Sequence, residues 1–342
     1  MASRDEISDQ QIAKLRRIFQ QEVQGIRDAA RIAQLQSLIE ANNINGIIDL
    51  LGIDRASFSV LEESIREAYR IGGSFTADAL SPIPVPNIGN VMFRFDLATQ
   101  NAVQWILNNS SQRVVEIVED QRVMIQERLA FAVQEGINPR QSALDLVGRV
   151  DGRTGRRSGG FIGLTSRQAG SVQNARTELE TMDRNYLNRE LRDKRFDGAF
   201  IRALESGEPI DVARVNAAVT SLQNRTLRSR GETIARTESI NALRAGEAES
   251  IAQAVERGEI DPQDVTKEWS GTLDSRERTD HVAVEGQIMR LDQPFELPDG
   301  SRLMYPGDSS LNAAARQVIQ CRCRSIYRID FIGRVVRLRG FR

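Results

Sequence analysis

Apolar residues recur at three- and four-residue intervals along most of the first 255 residues. The pattern runs through residues 8–70, where Leu15 and Phe19 lie one turn apart, and it returns over residues 96–136 and 164–255. Such a period places apolar side chains on one face of an α-helix. The sequence therefore predicts a mainly α-helical body whose helices pack through their apolar faces.

Two segments interrupt the helical pattern. Residues 74–90 contain Pro82, Pro84 and Pro86, each of which lacks an amide donor and favours extended backbone before it. We predict an exposed extended loop or a connector between helical layers there. Residues 148–163 are rich in glycine and arginine, but the order of the glycines fits neither common nucleotide-binding fingerprint. We predict a flexible basic loop with a structural or partner-contact role, and helices that resume after it and break near residue 231.

The character of the sequence changes after Gly258. A β-rich run over residues 265–273 and an alternation of polar and apolar residues over 322–329 predict strands. We therefore expect a mainly α N-terminal body followed by a small C-terminal α+β domain. The predicted segments are a helical N-terminal region with a proline-rich connector at 1–95, a helical domain at 96–261, the α+β domain at 262–330 and a basic tail at 331–342.

The composition adds few constraints on function. Hydrophobic residues make up 40% of the chain and the formal net charge is −1, as in soluble globular proteins, so the total charge indicates no particular partner. The N-terminus lacks the apolar segment of a secretory signal, and no run reaches the roughly 18 apolar residues of a membrane span. We expect the protein to act without crossing or spanning a membrane.

The end of the chain is strongly basic, unlike the nearly neutral chain as a whole. Residues 322–342 carry seven arginines and one acidic residue. Arginine side chains neutralise phosphates without reading base sequence. We therefore expect non-specific contact with double-stranded DNA through Arg334, Arg337, Arg339 and Arg342.

The chain has only two cysteines, Cys321 and Cys323, and one histidine, His281. A small domain keeps these groups fairly close, and three interpretations compete. The cysteines are buried apolar residues on a strand face with the histidine hydrogen-bonded nearby, or all three residues clamp a zinc ion completed by Asp308 or Asp280. In the third interpretation His281 activates a catalytic thiolate, although the sequence marks no oxyanion hole.

Seven short motifs occur in a fixed order between about residues 230 and 328: IARTE, WSGTLDSRERTDH, VEGQ, PF, PDG, YPGD and IQCRC. This order resembles the C-terminal domain of the phage head-morphogenesis family, the Mu F-like minor head proteins. One position departs from the family, which typically has asparagine where this chain has Gln320. The residues that carry the resemblance are Arg236, Thr237, Glu238, Trp269, Asp274, Arg276, Arg278, His281, Tyr305, Pro306, Asp308, Cys321 and Cys323.

The resemblance implies a minor capsid protein of the bacteriophage virion that acts in head assembly. Such a protein sits with the portal inside the head, after assembly in the host cytoplasm, and contacts other capsid proteins and the DNA during packaging or ejection. It implies no known catalytic activity and no cofactor beyond the zinc considered above. The alternative hypothesis is a Cys/His-dependent effector enzyme that is carried in the phage head.

Overall fold

The computed structural model describes residues 3–80, 83–85 and 89–330, and most of these residues are helical. The arginines predicted to contact DNA lie outside the described residues. The predicted fold class, a mainly α body with a small C-terminal α+β region, is confirmed. The helices are α1 Arg4–Ala29, α2 Ile32–Glu40, α3 Ile44–Leu51, α4 Ser59–Leu80, α5 Gln100–Ile106, α6 Gln112–Gln134, α7 Pro139–Val147, α8 Ser166–Glu180, α9 Asp197–Ser206, α10 Val212–Glu256, α11 Thr279–Ala283 and α12 Ala315–Val318.

The strands pair in small antiparallel sheets. The largest described sheet has three strands in the order β6-β5-β9 and lies in the C-terminal region. Its register places Trp269 opposite Ser325 and Lys267 opposite Met289. The strands are β1 Ile83–Val85, β2 Gly89–Val91, β3 Arg149–Val150, β4 Arg157–Ser158, β5 Val265–Ser270, β6 Ile288–Arg290, β7 Phe295–Glu296, β8 Arg302–Leu303 and β9 Arg324–Ile329.

The chain divides into two compact units that are not continuous in sequence. Unit 1 comprises the described residues of Met1–Arg16, Glu62–Ser111 and Thr233–Arg342, and unit 2 comprises Arg17–Leu61 and Gln112–Glu232. The sequence analysis divided the chain into consecutive segments instead. The difference arises because α1, α4 and α10 each contribute residues to both units, and hydrophobic periodicity does not reveal which neighbours a helix packs against.

Three predicted boundaries differ from the structure. α10 is one helix of 45 residues, so the predicted break near Gly231 is wrong. Within the predicted loop at 74–90, α4 continues to Leu80, and β1 and β2 then pair as a hairpin. β9 begins at Arg324 rather than at residue 322, so the cysteines precede the strand.

The second half of the glycine- and arginine-rich segment, residues 157–163 of unit 2, is packed, whereas most of residues 149–156 are exposed. The buried guanidinium of Arg27 donates to the carbonyls of Gly160 and Ile162. Gln121 accepts from the Gly163 amide at 2.7 Å, and Gln223 accepts from the Gly160 amide at 3.0 Å. These bonds satisfy backbone groups that burial would otherwise leave unpaired. They support the structural role predicted for this segment.

Two helices of unit 1 cross at backbone contact distance. A Cβ at Gly246 of α10 would lie 2.1 Å from the Tyr69 carbonyl oxygen, and a Cβ at Gly72 of α4 would lie 2.1 Å from that of Leu243. No side chain fits between the helices at this crossing. The contact fixes α10 against α4 in the part of α10 that precedes β5 and the C-terminal sheet.

None of the described helices is both long and apolar enough to cross a bilayer.

Candidate metal centre

The segment between β5 and α11 positions the only histidine. The Asp274 carboxylate accepts from the Arg276 amide at 2.9 Å and so closes a turn. α11 begins five residues after Asp274, at Thr279. His281 lies in this helix, and its side chain is completely buried.

The two cysteines reach the same place from the other end of the C-terminal region. α12 ends at Val318, and the Cys321 amide donates to the Val318 carbonyl at 3.1 Å. Cys321 and Cys323 are 1% and 0% exposed, whereas Ile319 is 43% exposed. The cysteines are buried as predicted, but the predicted strand face is wrong because both precede β9. A tight turn, rather than a strand, presents both sulfur atoms inward.

The sulfur atoms and the histidine ring form a close group. Nδ1 of His281 lies 3.8 Å from the Sγ of Cys321 and 3.3 Å from the Sγ of Cys323. All three ligand atoms lie within 4.8 Å of one another, and all three residues are buried. The cluster predicted from sequence therefore assembles in space.

The group provides three of the four ligands that a structural zinc site usually has, at distances that fit such a site. Zn–S bonds of about 2.3 Å and Zn–N bonds of about 2.0 Å in a tetrahedron place sulfur and nitrogen ligands about 3.5 Å apart. The two observed Sγ–Nδ1 distances lie on either side of that value. The two thiols and the imidazole also supply the soft and intermediate ligands that zinc prefers.

Sequence reasoning missed one member of the site, Glu277. Its Oε1 lies 3.4 Å from Nδ1 of His281 and 3.3 Å from the Sγ of Cys323, and its side chain is only 3% exposed. Glu277 is not part of the mutually close group of three, so its carboxylate would have to move toward Cys321 to become a fourth ligand. The four-residue spacing between Glu277 and His281 was the available signal.

The Glu277 carboxylate is held in its ionised form. Burial raises its pKa, but hydrogen bonds from Thr272 and Cys323 and the nearby imidazole outweigh burial, so the net shift is downward. Thr272 supplies both its amide, at 3.1 Å, and its hydroxyl, at 2.6 Å. An ionised carboxylate beside the sulfur and nitrogen donors would compensate the positive charge of a bound metal. It could do so as a direct ligand or by orienting the other ligands.

The two acids considered as a fourth ligand bind elsewhere. Asp308 accepts from the Met304 amide at 2.8 Å and from the Ser310 amide at 2.8 Å. Asp280 accepts from the side-chain amide of Gln317. Both carboxylates stabilise the loops around the site, and neither belongs to the close group.

An apolar cluster surrounds the donor atoms. The indole of Trp269 meets the His281 ring edge to face, with ring centroids 5.2 Å apart, and meets the Phe295 ring in the same way. The cluster excludes water, which strengthens electrostatic interactions among the donor atoms. Its buried members are Trp269, Val284, Phe295, Leu297, Leu303, Val318, Cys321 and Cys323.

An outer layer of charged contacts fixes the loops. Arg322, which separates the two cysteines, donates to both oxygens of Asp274 at 2.6 Å, and Arg276 approaches the same carboxylate at 3.4 Å. The bond from Arg322 is the largest cause of the lowered pKa of Asp274. Arg278 donates to the Ile319 carbonyl. The arginine between the cysteines therefore joins the two ends of the site.

Arg244 and the remaining motif residues connect the site to α10 and α5. Arg244 donates to the Cys323 carbonyl at 3.3 Å and pairs with Glu247 at 3.1 Å. Tyr305, next to Pro306, accepts from the indole of Trp105 at 3.2 Å. In the IARTE motif, Thr237 and Glu238 are buried and Arg236 is part of the same helical turn of α10.

Gln320, at the position where the family resemblance led us to expect asparagine, has a left-handed backbone conformation. Its φ is +57°, in the left-handed region that asparagine tolerates better than most residues. The Gln320 amide donates to the Thr237 hydroxyl at 3.0 Å, and its side-chain amide donates to Thr233 at 2.7 Å. Glutamine therefore keeps a side-chain amide bond to α10 at this position.

A substitution series at Gln320 tests this backbone constraint. Gln320→Val should destabilise unit 1 by about 1–2 kcal/mol, because a β-branched residue is strained in this region and cannot bond Thr233. Gln320→Asn should change stability by less than about 0.5 kcal/mol. Urea unfolding of the full chain measures both changes, and equal midpoints for the two variants would contradict the constraint.

The two thiols have opposite pKa shifts, so burial rather than protonation separates the structural interpretations from catalysis. The hydrogen bond from Cys323 lowers the pKa of Cys321 against the opposing effect of burial, and His281 adds to this effect. The same bond and burial raise the pKa of Cys323. A catalytic thiolate also needs access to substrate. The burial of both sulfur atoms and of the imidazole therefore supports the structural interpretations over catalysis.

Comparisons with known proteins place this site within a recognised region. Residues 194–326 match the family described as Phage Mu protein F like protein. Minor head protein GP7 of Bacillus phage SPP1 is 33% identical over 96 residues, which are 28% of this chain and 29% of that protein. YqbB of Bacillus subtilis strain 168, described as uncharacterized, is 31% identical over 99 residues, or 28% of this chain and 30% of that protein. No solved structure matches the chain.

The matched region contains Glu277 and the three donor residues, and it ends at residue 326 within β9. Residues 194–326 are therefore a Mu F-like region, which confirms the resemblance to the head-morphogenesis family. The similarity to either relative covers less than a third of that relative's length.

Proposed function

We propose that this protein is a phage head component that acts in head assembly. The observation that carries this proposal is the Mu F-like match over residues 194–326, together with the assembly of its cysteines and histidine into one buried cluster. The similarity to a minor head protein of phage SPP1 supports the same role. The long helices and the buried thiols fit a protein that binds other proteins rather than one that turns over a substrate.

Within this role, the Mu F-like region serves as a structural module held by a zinc ion. Cys321, Cys323 and His281 would bind the metal, and Glu277 would compensate its charge or complete its coordination after a small movement. The ion would join the turn at Asp274, the start of β9 and the apolar cluster around Trp269. Elements as short as β7, β8 and α12 bury little surface of their own and would benefit from such a clamp.

The expected partners are the portal protein and other capsid proteins. Quantitative mass spectrometry of purified proheads and virions, with copy number expressed relative to the portal, tests this. We expect the chain in proheads at a fixed ratio to the portal. A chain that occurs in the lysate but never in proheads or virions would contradict the proposed function.

Contact with DNA through the C-terminal tail gives a separate prediction. Neutralising about six phosphates should make the logarithm of the DNA association constant fall linearly with the logarithm of the salt concentration. The expected slope is about −5. Serine at the four tail positions Arg334, Arg337, Arg339 and Arg342 should reduce that slope by about 3–4. Filter binding or fluorescence anisotropy with DNA of random sequence measures the slope.

A matched variant controls for the loss of four positive charges. Serine at four exposed arginines of unit 2 should leave the slope close to that of the unaltered chain. Equal slopes for the tail variant and the unaltered chain would show that the tail does not contact DNA. The four control positions are Arg140, Arg153, Arg167 and Arg202.

A further inference from the structure

Unit 1 contains an open groove of about 560 Å³ that is separate from the cysteine cluster. Residues of α4, α5 and α10 form one side, and residues of β5 and β9 and of the loops between them form the other. Grooves of this volume accommodate a small ligand or the side chains of a bound peptide. The lining combines aromatic and aliphatic side chains with one carboxylate, of Glu249, and one ammonium group, of Lys267.

Aromatic rings form one wall of the groove. Trp105 stacks on Tyr69 with ring centroids 4.4 Å apart and an interplanar angle of 14°. The indole nitrogen of Trp105 donates to the Tyr305 hydroxyl, which fixes the plane of the indole. Trp105 remains half-buried and belongs to the lining of the groove. An accessible indole face attracts cations through its quadrupole.

The carboxylate of Glu249 is fixed beside this wall. Its Oε1 accepts from the Thr99 hydroxyl at 3.0 Å and from the Gln253 amide at 2.9 Å. Its Oε2 has no hydrogen-bond partner among the residues that the structure describes. Burial, assisted by the charge of Glu256, raises the pKa of Glu249. No basic side chain in the described part of the chain forms an ion pair with this carboxylate.

The ammonium group of Lys267 is already satisfied. It donates to the carbonyls of Leu291 at 3.2 Å and Met304 at 2.8 Å, and it lies 5.2 Å from the centroid of the Phe295 ring. The residue is 1% exposed, and burial lowers the pKa of its ammonium group to about 8 against the opposing charges of Asp308 and Asp292. Lys267 therefore stabilises the wall of the groove, and Glu249 is the charged group that remains unbalanced.

We propose that this groove binds a basic side chain, an arginine or a lysine, of a partner protein segment. The cationic head would meet Oε2 of Glu249 and the face of Trp105, where a carboxylate and an indole reinforce one another. The aliphatic stem would cover the half-buried Ala248 and Ala252 of α10. This chemistry belongs to unit 1 and does not depend on the proposed role in head assembly.

The apolar part of the groove favours a protein segment over a free amine. Leu291 and Met304 lie in the lining and are half-buried, so they offer apolar surface beyond what an ammonium group alone would cover. A peptide that carries the basic residue would cover this surface with its neighbouring atoms. Burial of that surface adds affinity that a small diamine cannot gain.

Titration of the full-length protein with blocked peptides tests the proposal. The probes are acetyl-Gly-Arg-Gly-amide, the same peptide with neutral citrulline in place of arginine, acetyl-Gly-Glu-Gly-amide and 1,4-diaminobutane. The readout is the pair of indole N–H signals in ¹⁵N-tryptophan-labelled protein, assigned with Trp105→Phe. We expect the arginine peptide to shift the Trp105 signal without shifting that of the buried Trp269.

Substitution of Glu249 measures how much its carboxylate contributes to the affinity for the arginine peptide. Glu249→Gln should weaken binding of the arginine peptide about tenfold or more, because a charge-assisted hydrogen bond is lost. Glu135→Gln, on an exposed position of unit 2, should leave the affinity unchanged. The comparison of arginine with citrulline uses the unaltered chain and is informative even if the variant folds poorly.

Four results would overturn the proposal. Equal binding of the citrulline and arginine peptides would show an apolar groove without charge selectivity. Binding of the glutamate peptide would show that the groove prefers negatively charged ligands because of Lys267. If the diamine binds and the arginine peptide does not, the ligand of the groove is a small amine and not a protein segment. The absence of any shift at Trp105 would show that the groove binds none of these groups.

Discussion

Gly246→Ala should destabilise unit 1 by at least about 3 kcal/mol, at the upper end of the cost of overpacking a core. The new Cβ would lie 2.1 Å from the Tyr69 carbonyl oxygen and 2.8 Å from the Gly73 amide nitrogen. Both neighbours are backbone atoms, so no side-chain rotation relieves the clash and the two helices must separate. Gly72→Ala should have a similar effect, because its Cβ would meet the carbonyl of Leu243.

A glycine in another helix provides the matched control. Gly170 lies within α8 of unit 2, and a Cβ there would have no heavy atom within 4 Å. Gly170→Ala should therefore stabilise the protein by up to about 1 kcal/mol through helix propensity. Urea or thermal unfolding of the full chain measures all three variants. A Gly246→Ala protein as stable as Gly170→Ala would contradict the close helix crossing.

Replacing both Cys321 and Cys323 by serine should produce the second large effect. If the cluster holds zinc, the variant loses most of a metal-binding free energy that reaches about 10–16 kcal/mol in small zinc domains. We expect a large fall in the melting temperature and partial unfolding of the region around β5 to β9. Thermal unfolding, followed with and without the chelator 1,10-phenanthroline, measures the effect.

The chelator separates loss of the metal from loss of packing. It should destabilise the unaltered chain and leave the double serine variant unaffected. Ser275→Ala, on an exposed position of the same loop, should behave like the unaltered chain in both conditions. A double serine variant that keeps its stability, in heads that assemble normally and fail only after infection, would favour the effector-enzyme hypothesis.

The sequence indicated that the two cysteines and the histidine lie close together, but it left their role open. Only three such residues occur in the chain, and all of them fall within the small C-terminal region. Glu277 was not predicted because it stands in the charged run DSRERTD, where an acidic residue usually faces solvent. Its burial depends on the turn at Asp274, which brings it beside His281.

The helix contacts could not be predicted in the same way. Glycine within a helical pattern indicates only a cost in helix propensity, so Gly72 and Gly246 gave no signal of a close crossing. The loop at 148–163 looked flexible because its partners, Arg27, Gln121 and Gln223, are distant in sequence. These features depend on tertiary neighbours, which periodicity and composition do not specify.

Elemental analysis of the purified full-length chain tests the central claim that Cys321, Cys323 and His281 form a structural metal centre. The protein would be produced with zinc in the medium and dialysed before measurement. We expect about one zinc per chain, and none in the variant with serine at both cysteines. A folded, unaltered chain without bound metal, whose melting temperature does not respond to a chelator, would contradict the metal centre.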